Sequence, residues 1–178
     1  MQFLLRILAL ILIGFILLCF VVGFTNDPHT EITHTKVVNS PSTVVWQSLT
    51  SPGRISEWMH EVRLVTGPVK PGKNAVYRFY LYNYDNDAFH DEKIDIYNPE
   101  NRISFLRVED KNRPLLRNYL KLFELKQLRD GMTELTFTLS YRSDSFLTIV
   151  YDKLLLRQRM ESRVASDLEN LKRKLEKL

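Results

Sequence analysis

The sequence predicts an α+β fold: an antiparallel meander of about six to seven strands closed by one long C-terminal helix, with a separate apolar helix in front. Three stretches predict it. Residues 7–24 contain no charged side chain. Residues 63–142 alternate with period two and are rich in β-branched and aromatic side chains. From Ser145 to Leu178 there is neither Gly nor Pro, and apolar residues recur every three or four positions. A chain of 178 residues accommodates one domain and an appendage rather than two domains. The expected division is an anchor over residues 1–25, a tether over 26–35 and a folded domain over 36–178.

The first element is the run Ile7–Phe24 (ILALILIGFILLCFVVGF). As a helix it spans ~27 Å at 1.5 Å per residue, close to the ~30 Å hydrocarbon layer. Phe3 to Leu5 complete the thickness, and Arg6 can snorkel toward the headgroups. A cleaved signal has a shorter apolar stretch that ends in small residues, whereas this run ends Val22-Gly23-Phe24-Thr25. Leu18 ahead of Cys19 also fits a lipoprotein signal poorly. The segment therefore reads as an uncleaved single-pass transmembrane helix. Arg6 lies before it, and Asp27 and Glu31 follow, so the positive-inside bias places the N-terminus inside and the domain on the extracytoplasmic face.

Polar residues Asn26 to Thr35 read as the tether, and Lys36 to Asn39 as the first strand. Ser40-Pro41 and Ser51-Pro52 each resemble a helix start, with serine as cap and proline in the first turn. Val45, Trp46 and Leu49 belong to the first short helix; Ile55, Trp58 and Met59 share one face of the second. Leu64-Val65 is a brief strand. Ala75 to Tyr84 (AVYRFYLYNY) is the most strongly β-forming run, followed by a turn at Asp85-Asn86-Asp87. Phe89 to Tyr97 and Ile103 to Val108 come next, then a loop around Asn112-Arg113-Pro114. Asn118–Leu128 and Met132–Tyr141 flank Asp130-Gly131, a strong hairpin signal. In the last strand Leu135, Phe137, Leu139 and Tyr141 alternate with Glu134, Thr136, Thr138 and Ser140, so one face is buried and the other wet. The long helix, capped by Asp144 or Ser145, carries Val150, Leu154, Val164, Leu168, Leu171, Leu175 and Leu178 on its apolar side. The 4-3-4-3 spacing from Val164 to Leu178 also suits a coiled-coil seam, but two heptads leave the oligomeric state open.

Composition excludes several function classes. A net charge of +4 with both signs mixed argues against a nucleic-acid surface, which needs clustered cations. The lone cysteine, Cys19, lies in the apolar run, so the folded part has no disulfide scaffold, cysteine metal site or thiol nucleophile. His29 and His34 are too few for a metal site. No phosphate-cradling glycine loop or catalytic signature is present, and no cofactor is implied.

Particular residues carry a family resemblance. Val38-Asn39-Ser40-Pro41-Ser42-Thr43-Val44-Val45-Trp46, then Ser51-Pro52 through Glu57-Trp58, and finally Asp130-Gly131-Met132-Thr133-Glu134-Leu135 occur in the order and spacing of the START/birch-pollen-allergen superfamily (SRPBCC). The sequence resembles its polyketide cyclase/dehydrase and lipid-transport type over roughly residues 33–178. The resemblance implies a helix-grip fold: a curved sheet wrapped around the long helix, enclosing an apolar cavity for a lipid, isoprenoid, sterol or polyketide.

Apolar lining is what such a cavity needs. The candidates are Trp58, Met59, Tyr77, Phe79, Leu81, Phe105, Phe123, Phe137 and Leu139, with Val150 and Leu154 from the helix; plain core is the competing reading for each. Only two dense titratable sets occur, His90-Asp91-Glu92 and Glu57…His60-Glu61. His90 and Glu92 share a strand face with Ile94 and could act as an acid/base pair, but the expected reading is a solvated edge. No catalytic residue is assigned. The functional expectation is membrane-tethered binding or transfer of a hydrophobic molecule. A cyclase or dehydratase using His90 or a tyrosine is the first alternative. A non-catalytic interaction module at the membrane is the second, favoured if side chains fill the space between sheet and helix.

Overall fold

A computed structural model describes residues 2–25, 27–82, 88–108 and 116–177. The turn expected at Asp85-Asn86-Asp87, the loop around Asn112-Arg113-Pro114 and Leu178 lie outside the described residues. Helix α1 (Gln2–Thr25) is followed by strand β1 (His29–Val38), helices α2 (Ser42–Thr50) and α3 (Pro52–Ile55), and strands β2 (Val62–Thr66), β3 (Val76–Leu81), β4 (Phe89–Asn98), β5 (Arg102–Arg107), β6 (Arg117–Gln127) and β7 (Thr133–Arg142). Helix α4 (Phe146–Tyr151), one π-helical turn (Asp152–Leu156) and helix α5 (Arg157–Leu175) complete the chain. The seven strands form one antiparallel sheet in the order β1-β7-β6-β5-β4-β3-β2.

Two expectations about the start of the domain change. Residues 29–35, read as tether, belong to β1, which pairs with β7 from His29↔Arg142 to Val38↔Thr133. Their inward positions mix the polar Thr30 and His34 with the buried Ile32, so the apolar alternation is weak; the cross-strand partners hold the strand. Thr33 and Thr35 bond the hydroxyls of Thr138 and Thr136, both at 3.0 Å. The second short helix stops at Ile55, yet Trp58 and Met59 continue its buried face through a turn.

Alternation then fixes the sheet's two faces. Leu135, Phe137, Leu139 and Tyr141 are all buried, as expected, while Glu134, Thr136, Thr138 and Ser140 face outward. A register shift in β2 lets Val62 and Val65 both point inward despite their odd spacing. The reversal between β6 and β7 is a short 3-10 turn, Arg129–Gly131, with Gly131 at φ +75°, where a Cβ would be strained.

The long helix is not continuous. Ser145 caps it in a capping box with Thr148, and a π turn that opens at the inward-facing Asp152 interrupts it. Asp152 is buried and accepts hydrogen bonds from Tyr141 Oη and from Thr30 Oγ1 at 2.7 Å. Burial first, and the Asp152 carboxylate second, push the Tyr141 phenol up. Beyond the turn, Val164, Leu168, Leu171 and Leu175 are buried on the sheet, so the stripe that suited a coiled-coil seam packs on its own domain. At its far end Lys36–Glu169 (3.2 Å) and the bond from Asn39 N–H to Glu176 (3.3 Å) tie α5 to β1.

Helix α1 includes Leu5–Phe24, twenty residues long and apolar enough to cross a membrane. Only its last turns touch the domain, where Phe20, Phe24 and Phe146 form a ring cluster with centroids 5.0–5.6 Å apart. Gly23 faces the Phe146 ring so closely that any side chain would collide with it. Gly23→Leu should displace Phe146 and destabilise the α1–α4 contact by about 1–3 kcal/mol. Limited proteolysis, with faster cleavage around residues 143–147 than in the wild type, would register the loosened contact.

Candidate functional site

Register places one set of strand ends together. His29, Arg142, Arg117, Leu106, Phe89 and Leu81 all lie at the end of the sheet where α1 joins. Just inside that end, on the face toward α5, sits a cluster of charged side chains. Glu92, on an interior strand with inward parity, is 0% exposed, and Lys121 on β6 is 3% exposed. Lys121 Nζ donates to both carboxylate oxygens, at 2.8 Å and 3.0 Å. His90 Nε2 lies 2.8 Å from Glu92 Oε1, and its ring stacks on Phe79 at 5.4 Å and 2°. The Arg107 guanidinium lies 4.1 Å over the Tyr119 ring, and its Nε is buried without a partner among the described residues.

The expectation of a solvated edge for His90-Asp91-Glu92 is therefore overturned. Only Asp91 obeys it, paired with Arg78 on the outer face at 2.8 Å. Strand β4 is interior to the sheet, so parity alone decides that residues 90, 92 and 94 point at the helix. Burial of Glu92 is tolerated because Lys121 and His90 satisfy it.

Electrostatics define the protonation states. Burial pushes the Glu92 carboxyl up, but Lys121, the His90 bond and Arg107 outweigh it and hold it at about 2. An ionised Glu92 accepts, so His90 Nε2 carries the proton and Nδ1 is the acceptor nitrogen. That assignment leaves the 3.4 Å approach of Arg107 to His90 Nε2 as a charge contact rather than a hydrogen bond. Burial lowers His90 against the opposing pull of Glu92, so the ring is neutral at pH 7. Burial likewise lowers Lys121, with Glu92 opposing and Arg107 and Arg163 assisting. Across the gap on α5, burial raises Asp167, which accepts from His60 N–H at 2.9 Å. Arg163 pairs with Glu61. Glu57 is exposed and pairs with Lys174 at 3.2 Å.

A neutral histidine beside a carboxylate can exchange a proton, and the Lys121/Arg107 pair exceeds Glu92 by one positive charge, which suits an anionic or strongly accepting group. The pH dependence has a definite sign. His90 is lowered from 6.5 and Glu92 from 4.5 to about 2, so both contribute stability that is present at neutral pH. Acidification should erode it, through His90 below pH 6.5 and through Glu92 between 4.5 and 2. Asp167, being raised, acts in the opposite direction. Melting curves across this range should fall toward acid; Glu92 alone accounts for about 3 kcal/mol.

Next to the cluster lies an aromatic floor. Phe123 stacks on Phe137 at 4.4 Å and meets Trp58 and Phe105 edge-on at 6.0 and 6.4 Å. Phe105 in turn meets Tyr77 and Phe79 at 5.6 and 6.3 Å. Trp58 donates to Ser48 O and Tyr77 to Thr50 O, and burial, then Tyr97, pushes the Tyr77 phenol up to about 12. Of the eleven residues expected to line a cavity, Trp58, Met59, Tyr77, Phe79, Phe105, Phe123, Phe137, Leu139 and Val150 are buried, and Leu81 is half-buried. Leu154, expected among them, is instead 42% exposed, while Asp152 two residues earlier is buried. The rings touch one another. Two clefts open at the surface, one of about 490 Å³ around Asp27, His29, Asp95, Leu106 and Arg142 and one of about 210 Å³ around Ser48, Glu57 and Leu171; of the eleven only Trp58 borders either. Among the described residues no group of three or more His, Cys, Asp and Glu is placed to hold a metal ion.

Sequence reasoning missed Lys121, Arg107 and Asp152. Lys121 was legible in principle, as the one cation at inward parity in Tyr119-x-Lys121-x-Phe123-x-Leu125. Nothing in the sequence announced the inward turn of Asp152.

Residues 29–176 match the family model for polyketide cyclase/dehydrase and lipid transport. The chain belongs to that family. Solved structures of the same helix-grip type include the ZhuI aromatase/cyclase from Streptomyces sp. R1128, at 16% identity and TM-score 0.67 over 83% of this chain and 94% of that one. The protein TTHA0849 from Thermus thermophilus is 16% identical, with TM-score 0.64 over 82% and 97%. The Aha1 dimer from Colwellia psychrerythraea is 12% identical, with TM-score 0.59 over 82% and 96%. No curated protein matches the chain. At these identities the neighbours show the helix-grip fold alone; the family itself is described as polyketide cyclase/dehydrase and lipid transport.

Proposed function

We propose that this protein is a membrane-tethered binder or carrier of an amphipathic lipid-like molecule, taken up between the sheet and α5. Its apolar part would lie among Trp58, Phe105, Phe123 and Phe137, and its polar head at Arg107, Lys121 and His90. The observation that carries the reading is the buried charged cluster itself. A packed apolar face would be at least as stable without it, so its placement beside the aromatic floor argues for a binding role. The reading extends the family's lipid-transport description to this chain. Helix α1 would hold the domain at the membrane, with the N-terminus inside and the domain on the extracytoplasmic face, where such ligands partition. Because the rings touch, binding requires them to part, and the π turn between α4 and α5 is the natural place for the helix to yield.

Native mass spectrometry of the detergent-solubilised full chain tests this. A discrete adduct of one lipid mass per chain is expected, diminished at least about tenfold in occupancy by Arg107→Met, consistent with loss of a charge-assisted contact. Wild-type protein without any adduct after incubation with a membrane lipid extract would sink the proposal. The contact between the rings favours a second reading, a non-catalytic interaction module at the membrane. That reading predicts no adduct and unchanged melting in the presence of lipid.

A further inference from the structure

Four large apolar side chains, Leu147, Tyr151, Leu154 and Leu155, stand 76, 41, 42 and 52% exposed within nine residues of α4 and the π turn. Their spacing of i, i+4, i+7 and i+8 is that of one helix face. Single exposed leucines are ordinary, but a contiguous set on one face marks a contact surface. The cations Arg157 and Arg159 follow immediately and are exposed, and Lys153 is half-buried, while the acidic Asp152 faces inward. The outward surface is thus apolar with a basic flank. Phe146, the first residue of α4, packs on Phe20 and Phe24 in the last turns of α1. A helix that touches the final turn of a bilayer span lies at the level of the headgroups.

We propose that α4 and the π turn form a second membrane contact, with Leu147, Tyr151, Leu154 and Leu155 seated in the headgroup–acyl boundary of the leaflet where α1 ends. Arg157 and Arg159 face anionic headgroups there, as on other interfacial helices. This rests on the reading of α1 as a membrane anchor. It turns the sheet end that carries His90 and Arg107 toward the bilayer. Tyr82, Phe89 and Val108, 66, 51 and 49% exposed at or just beyond the ends of β3, β4 and β5, lie at the same end. The site would then receive its ligand from the leaflet without passage through water.

The full chain, carrying Cys19→Ser, is reconstituted into phosphatidylcholine–phosphatidylglycerol vesicles with a single environment-sensitive fluorophore at Leu154→Cys, at Leu155→Cys or, at the far end of the domain, at Thr43→Cys. Doxyl-labelled lipid should quench the probes at positions 154 and 155 at least about threefold more than the probe at 43, as for a side chain ~5–10 Å below the headgroups. Aqueous iodide should show the reverse order. Iodide quenching at 154 and 155 equal to that at 43 would overturn the proposal. So would shielding from both quenchers, which would mean cover by protein. Alkaline carbonate extraction of the same vesicles separates the two readings. A chain released into the supernatant contradicts the anchor, whereas a retained chain with water-exposed probes contradicts the second contact alone.

Discussion

Glu92→Gln should lower the melting temperature by roughly 10 °C or more. The substitution keeps shape and volume but removes, among the described residues, the only anion within hydrogen-bond distance of the buried Lys121 ammonium. Breaking a buried pair from one side costs about 3–5 kcal/mol, because the remaining charge stays desolvated. At about 2–4 °C per kcal/mol for a chain of this size, the shift is large enough to read in a simple melt. The double variant Glu92→Leu with Lys121→Met should recover most of the loss, since an apolar pair of similar volume asks for no compensation. That recovery separates a stabilising ion pair from one retained for binding. If the double variant is as stable as the wild type yet no longer takes up lipid, the cluster serves the ligand rather than the fold. A double variant as unstable as Glu92→Gln would show that the cluster is structural.

Phe123→Ala should cost about 3–5 kcal/mol, the usual penalty for emptying a ring-sized volume in a packed interior. Phe123 is the hub of the aromatic floor, touching Trp58, Phe105 and Phe137, and it is fully buried. The cavity left behind is lined by apolar groups and should remain dry, so it becomes a site for small hydrophobic molecules. Benzene or a short alkyl chain should therefore restore part of the melting temperature, by about 2.7 kcal/mol at a hundredfold excess over its dissociation constant. A variant that loses stability but gains nothing from such ligands would place the collapse of neighbouring rings above cavity formation.

The sequence carried most of the fold because period two and period three-to-four patterns are set by which faces must be buried. Strands β3 to β7, the serine cap at Ser145 and the stripe Val164–Leu175 were all readable on that ground. The first part of strand β1 was not, since Ile32 is the one apolar side chain among residues 29–35 and the partner that orders them, β7, lies far along the chain. The break in the long helix was also hidden: Asp152, where the π turn opens, meets Tyr141 and Thr30, which reach it from the paired strands β7 and β1. The aromatic side of the candidate site followed from strand parity, which turns Tyr77, Phe79, Phe105, Phe123, Phe137 and Leu139 inward, whereas Val150 on α4 is buried outside that core cluster. The polar side did not follow. Charged residues seldom bury, and that rule assigns His90 and Glu92 to water unless Lys121, twenty-nine positions away, is recognised as their partner.

The most direct test of the central claim uses a fatty acid carrying a diazirine near the end of its chain, photolysed with the full-length protein in detergent micelles. If the space between sheet and helix admits an amphiphile with its head at Arg107 and Lys121, crosslinks will map to peptides containing Trp58, Phe105, Phe123 or Phe137. Excess unlabelled fatty acid should suppress them. Crosslinks confined to α1 and the exposed face of α4, with none on the inner face of the sheet, would contradict it.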